Sequence, residues 1–399
     1  MPKSSSKPAS KPASLSNIPA NSVTLPGSVE GTIYPNNASG NAVFSEMAFR
    51  QFNPAYAHIG VAFSGGGSRS MAASMGQMRA LRQESFYNTI GAISCVSGGG
   101  WFGTPFTFAD SSMYTDDQLL GTQIPPNLLT KPGLQKLNSG NICGALPLMG
   151  YTEVIATLTW MYYYDSIPLQ YLWSRMLSVF MLYPYNIGDT STFFTLNNAT
   201  LNRLLSQNAS LAANNFYLQR ANRPFFISGG TQIYPNGANQ VLRHMEYSAM
   251  YAGTPQNCGP IGPNGTHYGE GYVDNILFAT TNPSSPSSNQ VTADLTNING
   301  TLYPFLLSDQ MGSSSSAPGA DINFFTDTED WFPEFNYWSP KYAGTESAEM
   351  YSFTDGGNLE NTGIVPLLRR QYPIIFAFVN SELPLGGTGS GYVDGVDAQ

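Results

Sequence analysis

Apolar residues in this chain gather in short runs that stop at glycine. Ile59 to Phe63 is unbroken and ends at Ser64-Gly65-Gly66-Gly67. A helical pattern follows, with Met71, Met75, Met78 and Leu81 at i, i+4, i+7 and i+10 on one face, which predicts core packing. Thr89 to Val96 is a second apolar run, ending in Ser97-Gly98-Gly99-Gly100. Both read as buried strands leading into helices. Pro224 to Tyr234 and Val241 to Tyr247 predict two strands flanking an Asn236-Gly237 turn. Tyr351 to Asn358 predicts a strand closing in an acidic turn at Asp355, followed by a helix (Ile364 to Arg370) and a last strand (Ile374 to Val379). Strands alternating with helices predict an α/β fold with a mostly parallel sheet.

Other stretches are less regular. Residues 110–150 carry Pro, Gly and Asn at short intervals and predict loops with brief helices. Val154 to Ile187 is rich in Tyr, Trp, Met and Leu, but Asp165, Pro168 and Arg175 interrupt it well short of the roughly 20 apolar residues of a membrane span. It predicts two core helices, the alternative being a cap that presents apolar surface to lipid. Residues 253–318 are rich in Gly, Ser, Pro and Asn with little periodicity, which predicts long surface excursions. Residues 1–45 read as a disordered tail and irregular lead-in, and 386–399 as a loose tail. A single catalytic domain is expected over 46–385, with a cap-like insertion at about 110–220.

Composition narrows the function. Charged residues are only 11% of the 399, and the net charge is −9, so clustered basic surface for nucleic acid is not expected. Three cysteines (Cys95, Cys143, Cys258) exclude a disulfide scaffold, and with no CxxC or Cys/His cluster neither a zinc site nor any other metal or cofactor is expected. The N-terminal region lacks the apolar core of a signal peptide, which favours the cytoplasm. Five glycosylation sequons (Asn37, Asn198, Asn208, Asn264, Asn299) would suit a secreted chain instead.

The glycine runs carry the chemistry. Ser64 to Ser70 is neither a Walker A loop, since it lacks Lys-Ser/Thr, nor a dinucleotide fingerprint, since Ser70 stands at the third glycine. A strand, a serine, glycines and a helix are the layout of a nucleophile elbow at Ser97. A serine needs a base, and the chain has three histidines. His58 lies at the wrong end of its strand, His244 in an apparent strand and His267 in a glycine-rich loop; a Ser97–Asp–His244 triad stays open. The other solution is a carboxylate acting directly, and Asp355 at a strand end is the candidate. Gly66 and Gly67 amides could then stabilise an oxyanion, and Arg69 could meet a substrate phosphate. Gly65, Gly98 and Gly356 would let the backbones approach.

These segments together resemble the catalytic module of the fungal phospholipase B/lysophospholipase and cytosolic phospholipase A2 family, related to patatins. Ser64-Gly-Gly-Gly-Ser-Arg69 is similar to its S-G-G-G-x-R loop and Val96-Ser-Gly-Gly99 to its elbow. Thr354-Asp-Gly-Gly357 is similar to its acidic turn, and Met245 to Gly253 to its F-E-[FM]-[ST]-P-Y-E-x-G segment, with Ala249 in place of proline. Cys95 stands where the family carries glycine. The resemblance, spanning about residues 55 to 380, implies a three-layer α/β/α fold with a helical aromatic cap or lid. It implies Ser97 as nucleophile, Asp355 as its dyad base, Gly66 and Gly67 as oxyanion donors and Arg69 as phosphate ligand. The expected activity is hydrolysis of fatty-acyl esters of phospholipids or lysophospholipids through an acyl-enzyme, with transient contact to a membrane or micelle. The alternatives are a catalytically silent lipid-binding protein of the same fold and a Ser-His-Asp esterase.

Overall fold

The computed structural model describes residues 24–128, 151–236, 239–260, 264–317 and 333–380, with short stretches at 11–12, 15, 130, 132, 140–144, 392–393 and 396–397. The two expected buried strands are present as β2 (Ile59–Phe63) and β3 (Ile90–Val96), every residue of which is buried. They pair in parallel, which is why both faces must be apolar. Each feeds a helix, α1 (Gly67–Leu81) after β2 and α2 (Gly98–Phe108) after β3. Met71, Met75, Met78 and Leu81 of α1 are buried.

Side chains alternate between faces along a strand, so β3 shows how the layers are arranged. A Cβ on Gly103 of α2 would stand 2.8 Å from Cys95 Sγ, placing α2 on the Cys95 face. On the other face Leu367, from the short helix Val365–Arg369, covers Gly60, the register partner of Ala92. Around β2 and β3 the order is helix, sheet, helix.

The sheet is mixed, not mostly parallel. Within this sheet only β15 (Ile374–Phe378) with β2, β2 with β3, and β3 with β6 (Phe225–Asn236) run parallel among the described strands. From β6 onward the sheet is antiparallel through β7 (Asn239–Ser248), β8 (Tyr251–Pro260) and β9 (His267–Asp274) to β1 (Ser28–Pro35) and β11 (Gln290–Ile298). Short connections explain the run from β6 to β9, because a parallel crossover needs a dozen or more residues and a hairpin needs two. β6 and β7 are such a hairpin, with Asn236 opposite Asn239; Gly237 of the expected turn lies outside the described residues.

Two stretches expected to be irregular are ordered. Residues 28–35, within the segment read as tail and lead-in, form β1, an interior strand between β9 and β11. Residues 253–318 hold parts or all of three longer strands, β8, β9 and β11, and the helix Leu307–Ser314, every residue of which is buried. Glycine and asparagine hide their periodicity: Gly253, Gly269 and Gly271 sit at φ of +147°, +86° and +139° against neighbouring backbones that leave no space for a Cβ. The apolar stretch 154–187 gives the two expected helices, Tyr151–Tyr163 and Leu169–Leu177, the second continuing through a π-helical turn at Ser178–Leu182. No helix among the described residues is long and apolar enough to cross a membrane. Most of the expected tails, residues 1–23 and 386–399, lies outside the described residues.

Candidate active site

Ser97 occupies the one-residue turn between β3 and α2, at φ 51° and ψ −121°. That conformation is sparsely populated for a non-glycine residue and costs about 1–3 kcal/mol. It persists because the surroundings hold it. The Ser97 amide donates to Ser314 Oγ at 3.1 Å, and Ser314 Oγ donates in turn to the Gly229 carbonyl at 2.6 Å. The turn also needs its glycines. A Cβ on Gly98 would lie 2.0 Å from the Gly67 carbonyl oxygen, and one on Gly99 2.7 Å from that of Phe63. The starts of α1 and α2 therefore abut backbone to backbone, with neither helix capped by a side chain at its N-terminus.

Asp355 reaches Ser97 by a route that a parallel sheet would not provide. β14 (Glu349–Asp355) runs antiparallel to β6 and pairs with its second half, Gly230 to Ile233. β3 pairs with the first half of the same strand, up to Gly229 opposite Val96. The two strands thus run toward each other along one edge of β6 and end head-on at Gly229-Gly230. Ser97 leaves the end of one and Asp355 closes the other. Gly356 makes the turn past β6, since a Cβ there would meet the Gly229 carbonyl oxygen at 2.5 Å.

Ser97 Oγ donates to Asp355 Oδ2 at 2.6 Å, and the second carboxylate oxygen accepts the Gly357 amide at 2.7 Å. Both side chains are buried, with Ser97 7% and Asp355 5% exposed. Burial pushes the Asp355 carboxyl above its ordinary range, and the hydrogen bonds from Ser97 and Gly357 offset part of that.

Gly65, Gly66 and Gly67 run alongside. The Gly65 amide donates to the Asn361 carbonyl, and a Cβ on Gly65 would stand 3.2 Å from that of Ser97. Gly66 and Gly67 take φ of +131° and +60°, open to glycine and strained for other residues. Arg69 lies exposed on the first turn of α1; its Nη2 donates to the Asn380 carbonyl at 3.3 Å and stands 3.1 Å from the Cβ position of Gly66.

The histidines lie elsewhere in the bonding pattern. His58 Nδ1 is bonded to the Pro54 carbonyl at 2.9 Å, and His267 Nδ1 to Glu346 at 2.6 Å while stacked on Tyr342. His244 is buried on β7 with Nδ1 facing Arg369 at 3.0 Å, and burial lowers its pKa. Cys95, at the expected glycine position, is fully buried with its sulfur against Gly103 of α2. Among the described residues no group of three or more His, Cys, Asp or Glu is placed to hold a metal ion.

Two supporting residues were not expected from sequence. Ser314 sits in a serine run that reads as loop, and its role comes only from a helix packed behind the elbow. Asn380 follows β15 and ties the glycine loop down. Its amide donates to Ser64 Oγ at 2.8 Å, and its side chain donates to Ser70 Oγ and accepts from Gln77 Nε2.

No family model and no curated protein matches the chain. Among solved structures, human GIVD cytosolic phospholipase A2 is similar over 81% of this chain and 45% of its own, at 11% identity and a TM-score of 0.42. The same human enzyme in complex with methyl gamma-linolenyl fluorophosphonate is similar over 79% and 39%, at 15% identity and a TM-score of 0.37. This chain thus spans less than half the length of these structures.

Proposed function

We propose that the chain is a serine acyl hydrolase acting on fatty-acyl esters of glycerophospholipids or lysophospholipids. The observation that carries this reading is the 2.6 Å hydrogen bond from Ser97 Oγ to Asp355 Oδ2 at a buried, strained turn. Ser97 Oγ attacks the ester carbonyl carbon as its proton passes to Asp355. The carbonyl π electrons move onto oxygen, and the oxyanion meets the Gly66 and Gly67 amides at the start of α1. Each such donor is typically worth about 3–4 kcal/mol. The tetrahedral intermediate collapses to an acyl-Ser97 ester, and Asp355 returns the proton to the departing alkoxide oxygen. Water, deprotonated by Asp355, then releases the fatty acid and restores Ser97. Arg69, held over Gly66, supplies the cation for a substrate phosphate. The Trp- and Tyr-rich helices of residues 151–177 would form the cap over the acyl chain.

The histidine route has less support, because Ser97 Oγ is committed to Asp355 and His244 Nδ1 faces Arg369. The test is a fluorophosphonate probe combined with assays on phospholipid and lysophospholipid micelles. Wild type should label once, at Ser97, and Ser97→Ala should lose about 10⁴-fold or more in kcat. Full hydrolysis by Ser97→Ala would overturn the reading; unlabelled, inactive wild type would favour a silent lipid-binding protein.

A further inference from the structure

At the far end of β3 from Ser97, roughly 20 Å along the strand, a pocket of about 650 Å³ opens where β3 and β6 begin. Arg220, Arg223, Tyr87, Asn88 and Asn197 line it, with Phe52 as part of its apolar wall. Its charge is unbalanced. Three of the chain's 17 lysines and arginines converge on one carboxylate, that of Asp116. Arg223 binds both of its oxygens, Arg82 Nη2 binds Oδ2 at 2.6 Å, and Arg220 Nη2 lies 3.3 Å from Oδ1.

Asp116 is therefore used up, and Arg220 is not satisfied. Its side chain is 10% exposed; Nη2 also donates to the Tyr114 carbonyl at 3.0 Å, while Nη1 is buried with no hydrogen-bond partner. The hydroxyl of Tyr87, on the same pocket, is likewise buried without one. Leaving a charged donor so placed is costly. Burial first, then the charges of Arg223 and Arg82, press the Arg220 pKa below the usual guanidinium range, with Asp116 and Asp110 opposing. Asp110 is exposed and already accepts the Ser112 amide. The ten-residue helix Asn198–Gln207 also starts at this rim. Its first amides are capped by Asn197, so it adds only the positive end of its dipole.

We propose that this pocket binds a phosphate monoester. Residues bearing guanidinium, phenol and carboxamide groups come to the pocket from several elements, a donor chemistry that suits the several acceptor oxygens of a tetrahedral oxyanion. The volume leaves room for a small organic body beside Phe52. The ligand would sit at the opposite end of the strands from the ester chemistry, so the site stands or falls independently of the hydrolase reading.

Calorimetric titration of the full chain tests this, using inorganic phosphate, glycerol phosphate, glycerol and vesicles containing phosphatidic acid. Phosphate-bearing probes should bind and glycerol should not. Arg220→Gln should weaken binding about tenfold or more. Because Arg220 also holds the Tyr114 carbonyl, Tyr87→Phe serves as a milder variant that removes only a hydroxyl; it should weaken binding about threefold. Ser97→Ala should bind as wild type does. Arg220-dependent binding of soluble esters would identify a free ligand, and of vesicles alone a lipid headgroup. Absence of binding by every phosphate probe, or binding unchanged in both pocket variants, would overturn the proposal.

Discussion

On the proposed hydrolase reading, Asp355 carries the conflict between stability and chemistry. Burial raises its pKa above the ordinary 3.8, so its ionised form is the disfavoured one in the folded state. A carboxylate raised in this way contributes stability at low pH that is lost as pH rises through the folded pKa. The ionised form is nevertheless the one that can accept the Ser97 proton. Asp355→Asn should therefore unfold at a higher temperature than wild type at neutral pH, while losing ester hydrolysis. In wild type kcat should rise with pH through the raised pKa, and a pH–rate profile with its acid limb at or below 3.8 would contradict the assignment. Ser314 bridges the Ser97 amide and the Gly229 carbonyl, and on the same reading it is a positioning residue one step back. Ser314→Ala should lower kcat about 10- to 100-fold, since loss of roughly 1.5–3 kcal/mol of turn support is felt at the nucleophile. KM should stay near wild type and Ser314→Thr should restore part of the rate; equal losses in both variants would mean simple misfolding.

At the level of elements, the site is made by two strand ends and two helix starts. β3 and β14 meet end to end on β6, and α1 and α2 touch through Gly67 and Gly98. This contact has no slack. A methyl at position 98 would stand 2.0 Å from a backbone oxygen, whereas at position 100 its nearest neighbour would be Ser228 Oγ at 3.5 Å, an ordinary contact. Gly98→Ala should therefore cost about 1–3 kcal/mol in denaturant unfolding, with loss of most activity, while Gly100→Ala should be close to neutral. Comparable effects at the two positions would show that the helix starts can move apart. The elbow glycines were readable from sequence because strand, serine and glycines are contiguous. The pairing of β14 with the continuation of β6 was not, since nothing local sets the direction of a strand that arrives 120 residues later.

Across the whole molecule, a buried ionic network joins segments far apart in the chain. Arg370 Nε donates to Glu46 at 2.6 Å and its Nη1 to Glu246 at 2.8 Å; Arg369 and Tyr272 also bond to Glu246, and Tyr251 to Glu46. Burial opposes ionisation of Glu246, but Arg370 and Arg369 outweigh it and hold the carboxyl at about 2. A depressed carboxylate gives stability above its unfolded pKa, near 4.5, that is lost as pH falls toward about 2. Glu246→Gln should destabilise by about 3–5 kcal/mol at neutral pH, because it leaves Arg370 buried and under-paired. Its acid transition should also lose the contribution between those two pH values; equilibrium unfolding across pH measures both. The Met245–Gly253 segment that resembles a family motif is thus, in this fold, the seat of a structural charge cluster.

What the sequence by itself determined is the local grammar: two apolar strands, the glycine turns behind them, the helical methionine stripe, and Ser97 and Asp355 as residues at strand ends. These are legible because period, apolar runs and glycine act over a few residues. The tertiary structure alone decided that the sheet is mixed, that residues 28–35 and the strands between 253 and 303 belong to it, and that Ser314 and Asn380 brace the site. It also decided the approach of Asp355, by a strand running against β6 rather than with its parallel neighbours. Strand direction and long-range pairing are selected by burial and by which backbone edge remains unpaired, and neither quantity exists until the other strands are in place.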